Sequence, residues 1–196
     1  MGGTFDPVHF GHLVAAEEAL VQFNLDRVLF MPTGQPAFKA GKRVTSAEHR
    51  YLMTVLATAS NPDFDVSRME VDRPGLTYTV DTLVALRAEY GASTELFFIT
   101  GADAVWDIVG WKDAEKVANL VTFIAVTRPG YDLKAARLSH ESQATHFKIE
   151  YLEVPALAIS STDIRERVAS RRPIRYLTSD AVGAYIVKHG LYREVG

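Results

Sequence analysis

The chain has 196 residues, 47% of them hydrophobic and 23% charged, with a formal net charge of −3 and no cysteine. That is ordinary globular composition, and a chain of this length buries roughly 70% of its unfolded surface, enough for one sizeable core. With that charge a large basic footprint for nucleic acid is not expected, although a local basic pocket for a phosphorylated small molecule is allowed; the lack of cysteine excludes disulfides and thiolate metal sites, and no apolar run reaches the roughly 18 residues of a membrane span.

No secretory signal is visible, so cytoplasm is the expected compartment. No repeat or low-complexity tract breaks the chain. One domain is expected, with residues 160–196 as a C-terminal helical part. Oligomeric state is not readable from the sequence.

The chain opens MGGTFDPVHFGH. A glycine after the initiator methionine suggests lipidation, but that pattern needs Ser or Thr where Asp6 stands. The stretch instead reads as a tight turn leading into a helix that begins near His9 or Phe10. Gly2 and Gly3 allow a left-handed backbone or close approach to a ligand. Pro7 fixes its own φ and biases Asp6 towards extended geometry. LVAAEEALVQF (13–23) carries apolar residues at helical spacing. DRVLFMP (26–32) is a buried-strand run closed by Pro32.

TGQPAFKAGKRV (33–44) is a basic, Gly/Pro-bearing loop. It is not a P-loop, because Gly34 and Gly41 are wrongly spaced and Arg43 follows Lys42 where Ser or Thr is needed. Thr45 and Glu48 form a capping-box pattern that predicts a helix through about Ser60. FDVSRMEVD (64–72) alternates like a strand or strand pair, and YTVDTLVALRAEYG (78–91) predicts an amphipathic helix stopped by Gly91. ELFFITG (95–101), NLVTFIAVTRPG (119–130) and FKIEYLEV (147–154) read as strands, with an irregular excursion over 130–147. SSTDIRERVAS (160–170) and SDAVGAYIVKHG (179–190) close the chain as helices. Strands alternating with helices predict an α/β fold with a parallel sheet covered on both faces. Ligands of such sheets bind beyond the carboxyl ends of the strands.

Two stretches carry chemistry. His9 and His12 are three apart and share one face of a first helical turn. Helix N-termini present unsatisfied N–H groups that favour phosphate, and two imidazoles add donors there. Gly11 leaves space in which a base or sugar could lie. Two incidental histidines at a helix start are the bland alternative, and a zinc pair lacks an obvious third ligand. In ISSTDIR (159–165), Ser160, Ser161 and Thr162 can cap a helix, while Arg165 lies one turn in with a fork suited to phosphate.

GGTFDPVHFGH resembles the signature of the HxGH nucleotidyltransferases, most closely the branch that adenylates nicotinate mononucleotide. ISSTDIR resembles the second signature of bacterial adenylyltransferases, in the right order about 150 residues later. LTYTVDTL, ITGAD, VGWKDAEK, VTRPG and AYIVKHGLY extend the resemblance over nearly the whole chain. It implies a Rossmann-like, doubly wound, mainly parallel sheet. It implies catalytic roles for His9, His12, Lys39 and Arg165. ATP is expected at Gly3, Thr4, Phe5, His9, His12, Gly101, Asp103, Ile159, Ser160, Ser161 and Arg165. The mononucleotide is expected at Thr4, Phe5, Thr33, Lys39, Thr77, Tyr78, Asp103, Trp111 and Arg128. Among these, backbone N–H groups near Thr77 and Tyr78 are expected to hold a carboxylate, Asp103 to lie near ribose hydroxyls, and Trp111 to stack on the pyridine ring.

Two departures stand out. The family's first strand normally precedes GGTFDP by several residues, so either the true start lies upstream of Met1 or, if the chain begins here, that central strand is nearly missing. The loop after DRVLFMP differs from the family's usual wording, so Lys42 or Arg43 could replace Lys39. The reaction implied is adenylyl transfer from ATP to nicotinate mononucleotide, with Mg²⁺ bound mainly through the ATP phosphates and no dedicated metal ligands. Dual or nicotinamide mononucleotide specificity, phosphopantetheine adenylation and a catalytically silent nucleotide-binding module are the alternatives at this point.

Overall fold

Every strand pairing described here is parallel, as alternating strands and helices require. The computed structural model describes residues 1–36, 44–127, 146–155 and 158–193, without the side chains of Asp103, Trp106 and Val109. In chain order the elements are β1 (Gly2–Gly3), α1 (Phe10–Gln22), β2 (Val28–Pro32), β3 (Gln35–Pro36), α2 (Ala47–Thr58), β4 (Phe64–Val66) and β5 (Leu76–Thr77). Then follow α3 (Thr79–Tyr90), β6 (Phe97–Gly101), α4 (Ala102–Val105), a 3₁₀ turn (Trp106–Gly110), α5 (Ala114–Leu120), β7 (Thr122–Thr127) and β8 (Ile149–Glu153). The chain closes with α6 (Ser161–Ala169) and α7 (Asp180–Lys188). It divides into two units, Met1–Thr77 with Leu157–Gly196, and Tyr78–Ala156.

In the first unit, β2 is the middle strand of a sheet ordered β1-β2-β4. Val28, Phe30 and Met31 of β2 are all buried, which explains its near-continuous apolar run. β1 is two residues long, in register Gly2↔Met31 and Gly3↔Pro32. Beside it the Met1 backbone nitrogen donates to the Leu29 carbonyl at 2.8 Å. α1 buries Ala15, Ala16, Ala19 and Leu20. α2 buries Arg50, Met53, Thr54, Ala57 and Thr58, the spacing of one helical face.

Two local expectations are corrected here. The cap of α2 is Ser46, whose Oγ accepts from the His49 N–H at 3.4 Å, and not Thr45. Thr45 is taken up by tertiary bonds, its N–H donating to Asp6 Oδ2 at 3.2 Å and its carbonyl accepting from Arg50 Nε at 2.8 Å. The strand read over 64–72 ends at Val66. Beyond it the chain turns, with the Met69 N–H donating to Ser67 Oγ and the Asp72 N–H to the Arg68 carbonyl.

The second unit is built on β6-β7-β8, in register Phe97↔Thr122 and Phe123↔Ile149. Its core gathers Val80 and Leu83 of α3, Val105, Ile108, Val117 and the strand residues Phe123 and Ala125. The Arg87 guanidinium closes the end of α3, donating to the carbonyls of Gly91 at 3.1 Å and Leu120 at 3.1 Å. The strand expected over 119–130 spans only Thr122–Thr127, since Asn119 and Leu120 belong to α5 and 128–130 lie outside the described residues. Among the described residues no helix is long and apolar enough to cross a membrane.

Candidate active site

The site begins in the turn between β1 and α1. The left-handed residue there is Phe5, with φ of 50°, and neither Gly2 nor Gly3 has positive φ. Gly3 is needed for a different reason: a Cβ on it would lie 2.9 Å from the Phe5 ring. That ring is 2% exposed and packs tilted against Phe30 at 5.8 Å and edge-on to His12 at 5.1 Å. Phe5 therefore serves the expected site by shaping the turn, its ring being occupied with packing. Thr33 fastens the strand before it, its N–H and its hydroxyl both donating to the Gly3 carbonyl, at 2.9 and 3.1 Å.

His9 is the N-cap residue of α1. Its ring stacks on that of His12 with centroids 3.7 Å apart and planes 29° off parallel. The expected shared face is thus observed. The His9 N–H donates to His12 Nδ1 at 3.2 Å, and the Phe10 N–H donates to the Leu177 carbonyl at 3.1 Å. These two backbone donors, expected to face a phosphate, are therefore committed within the fold. What the turn presents instead is imidazole. An Nδ1 that accepts a hydrogen bond leaves the ring's proton on Nε2. His12 is accordingly a neutral Nε2 donor. Burial, and secondly the neighbouring His9, hold its pKa down to about 3.

Gly11 also differs from its expected role. A Cβ there would meet the His9 ring at 3.0 Å from Nδ1 and 3.1 Å from Cε1, so the space serves the histidine. Gly11→Ala is expected to keep the fold, because alanine favours helix by up to about 1 kcal/mol over glycine. It must push the His9 ring by a few tenths of an ångström. Since a misplacement of about 1 Å can cost 10²-fold, turnover should fall about tenfold with the melting temperature nearly unchanged. Steady-state rates beside a thermal melt check this.

α6 delivers the second motif to the same turn. Ser160 caps it, its Oγ accepting from the Asp163 N–H at 3.1 Å. Ser161 Oγ donates to the Pro7 carbonyl at 2.8 Å, and Arg165 Nη1 donates to the Asp6 carbonyl at 2.7 Å. Arg165 Nη2 also donates to Thr162 Oγ1 at 3.1 Å. The Ile159 carbonyl lies 3.9 Å from where a Gly11 Cβ would stand. Two stretches far apart in sequence thus meet at residues 6–11. The guanidinium has five N–H donors, two of them used in these bonds, and its remaining edge can take an anion.

Beneath the turn lies a buried polar network that the sequence reading did not single out. Arg50 is 1% exposed. Its guanidinium donates to three carbonyls, Thr45 by Nε, Thr4 by Nη1 and Gly34 by Nη2, each at 2.8 Å. The buried Asp6 carboxylate accepts from the Thr45 N–H and, at 2.7 Å, from the Tyr192 hydroxyl. Burial, and then the Asp6 charge, push the Tyr192 phenol above its ordinary range. Burial lowers the Arg50 pKa, with Asp6 first among the groups opposing that shift. One signal for Arg50 was readable: an arginine at the head of the 50-53-54-57-58 stripe puts a charge on the apolar face of α2.

The remaining expected residues are placed as follows. Thr77 ends β5, and its buried hydroxyl has no hydrogen-bond partner among the described residues. Tyr78 is the N-cap residue of α3, with Lys112 Nζ over its ring at 4.6 Å and 3.7 Å from Asp81. Trp111 packs edge-on against Phe98 at 5.7 Å and Phe123 at 6.3 Å, and stays partly exposed. Gly101 ends β6 with open space where a Cβ would be. Asp103 lies on α4 by its backbone, while its side chain is outside the described residues, as are Lys39, Lys42, Arg43 and Arg128.

A family model described as cytidylyltransferase-like matches residues 1–167. A protein of Corynebacterium jeikeium named "Probable nicotinate-nucleotide adenylyltransferase" is 57% identical over 98% of both chains. One of the same name from Salinispora arenicola is 56% identical, over 99% of this chain and 100% of its own. Among solved structures, Plasmodium falciparum nicotinic acid mononucleotide adenylyltransferase complexed with NaAD has a TM-score of 0.79 at 22% identity, over 97% of this chain and 94% of that one. The same protein complexed with APC has a TM-score of 0.76 at 20% identity, with the same coverage.

Proposed function

The chain belongs to the nicotinate-nucleotide adenylyltransferase family, within the cytidylyltransferase-like group, and from that premise we propose that it transfers the adenylyl group of ATP to nicotinate mononucleotide. The products are nicotinate adenine dinucleotide and pyrophosphate. A 5′-phosphate oxygen of the mononucleotide attacks the α-phosphorus of ATP. The new P–O bond forms as the bond to the β-phosphate oxygen breaks, and pyrophosphate carries away the electron pair.

One observation carries this reading: Arg165 and the His9–His12 pair are brought to the same turn by Asp6, Pro7 and Gly11. The substrate phosphate is itself the nucleophile, so positioning and charge stabilisation are what remains for the protein to supply. His12 Nε2 donates to a phosphate oxygen as a neutral group, and Arg165 neutralises charge on the triphosphate. Ser160 and Ser161 place α6 to aim that arginine. Lys39 is the further cation proposed for the phosphates. Among the described residues no group of three or more His, Cys, Asp or Glu is arranged to hold a metal. Magnesium, when bound, would be held mainly by phosphate oxygens and water, where it neutralises their charge.

Tyr78 and Trp111 are the residues proposed to meet the pyridine ring. Measuring pyrophosphate release from ATP with nicotinate mononucleotide, nicotinamide mononucleotide and phosphopantetheine in turn tests the proposal. Release should be fastest with the nicotinate form. Equal or faster release with another acceptor would replace the substrate, and no release with any acceptor would remove the activity.

A further inference from the structure

Arg50 is out of place by ordinary rules. A fully buried arginine usually meets a carboxylate in a direct, bidentate pair. This one spends its fork on three main-chain carbonyls from three separate segments, at Thr4, Gly34 and Thr45. The Asp6 carboxylate is reached through Thr45, which donates its N–H to Asp6 and offers its carbonyl to Arg50. Burying such a pair is costly, and its contribution to stability is often no better than that of an apolar replacement. What it does supply is geometry.

Thr4 and Asp6 bracket Phe5, the residue held in left-handed backbone. Arg50 grips the first of them directly and the second through Thr45. Tyr192 grips Asp6 from the C-terminal side. The Asp6 carbonyl is the atom to which Arg165 Nη1 is bonded. We infer that Arg50 is a positioning residue for adenylyl transfer: it fixes the Thr4–Asp6 turn so that the Asp6 carbonyl aims Arg165 at the triphosphate. This rests on the activity proposed above. Arg50 touches no substrate itself, and its side chain is sealed beneath the turn.

The test is a double-mutant cycle. Arg50→Lys keeps the charge but loses the planar fork, so it cannot hold all three carbonyls. Its kcat should fall 10- to 100-fold, with the KM for ATP within about threefold of the parent, measured well below the variant's melting temperature. In an Arg165→Ala background the same substitution should cost less than threefold, because the residue it aims is gone. An equal loss in both backgrounds would make Arg50 merely structural and overturn the inference. Tyr192→Phe, which keeps the ring and removes one bond to Asp6, should show the same pattern at about three- to fivefold, and covers the case in which Arg50→Lys does not fold. A parent chain that turns over while both variants match it would remove the inference alone. A parent chain that never turns over ATP and nicotinate mononucleotide would remove the proposed activity, and this inference with it.

Discussion

Replacing Arg165 by alanine is expected to reduce turnover at least 10²-fold while leaving the fold in place. Arginines that meet a transferring phosphoryl group contribute 10³–10⁵ in rate in comparable chemistry, and 10²-fold corresponds to about 2.7 kcal/mol of barrier. The structural cost is much smaller. Arg165 is partly exposed and makes hydrogen bonds to Asp6 and Thr162 at the surface of the turn. Hydrogen bonds to a charged group contribute about 1.5–3 kcal/mol each when buried, and less where water screens them as at this partly exposed side chain. The melting temperature should thus drop by a few degrees, at about 2–4 °C per kcal/mol for a chain of this size. Single-turnover rates with radiolabelled ATP beside a thermal melt separate the two effects. Near-parental turnover would take Arg165 out of the mechanism.

His12→Ala carries the second large effect. Removing one preorganised donor aimed at developing charge costs about 10²–10³-fold, and that loss is expected in kcat. The substitution has a second consequence, in stability. The free chain keeps His12 neutral down to about pH 3, whereas the ordinary value is 6.5. Between those pH values the unfolded state binds a proton that the folded state does not, so stability falls as the pH is lowered through that window. The slope from this residue is at most about 1.4 kcal/mol per pH unit, less to the extent that the half-buried ring is screened by water. His12→Ala removes that slope. Melting temperatures of parent and variant should therefore converge as the pH is taken from 7 towards 4. Parallel melting curves over that range would show that His12 is not held neutral.

Much of this was legible in the sequence because the signals are local. The apolar run of β2, the amphipathic helices and the two phosphate-type motifs each announce themselves within a dozen residues. That His9 and His12 share one side of the helix start was readable from their spacing, though the stacking of their rings was not. Other features needed the third dimension. Thr45 and Ser46 are adjacent hydroxyl residues with equal claims to cap α2; Ser46 caps it, while the Thr45 backbone is tied to Asp6 and Arg50. Gly11 looked like room for a ligand, but the room is filled by the neighbouring imidazole. The bond between Tyr192 and Asp6 spans 186 residues, and no periodicity reports a pairing at that distance. Arg50 lay between these cases. The charge on an apolar stripe was visible, but its three carbonyl partners were not.

Adenylyl transfer at this site requires one triphosphate to be shared by the two histidines near the amino end and the arginine of α6. A crystal structure of the chain with a non-hydrolysable ATP analogue measures this directly. Phosphate oxygens should lie within about 3.2 Å of both His12 Nε2 and the Arg165 guanidinium in the same molecule of analogue. An analogue whose phosphates meet only one of those groups, with the other turned to solvent, would contradict it.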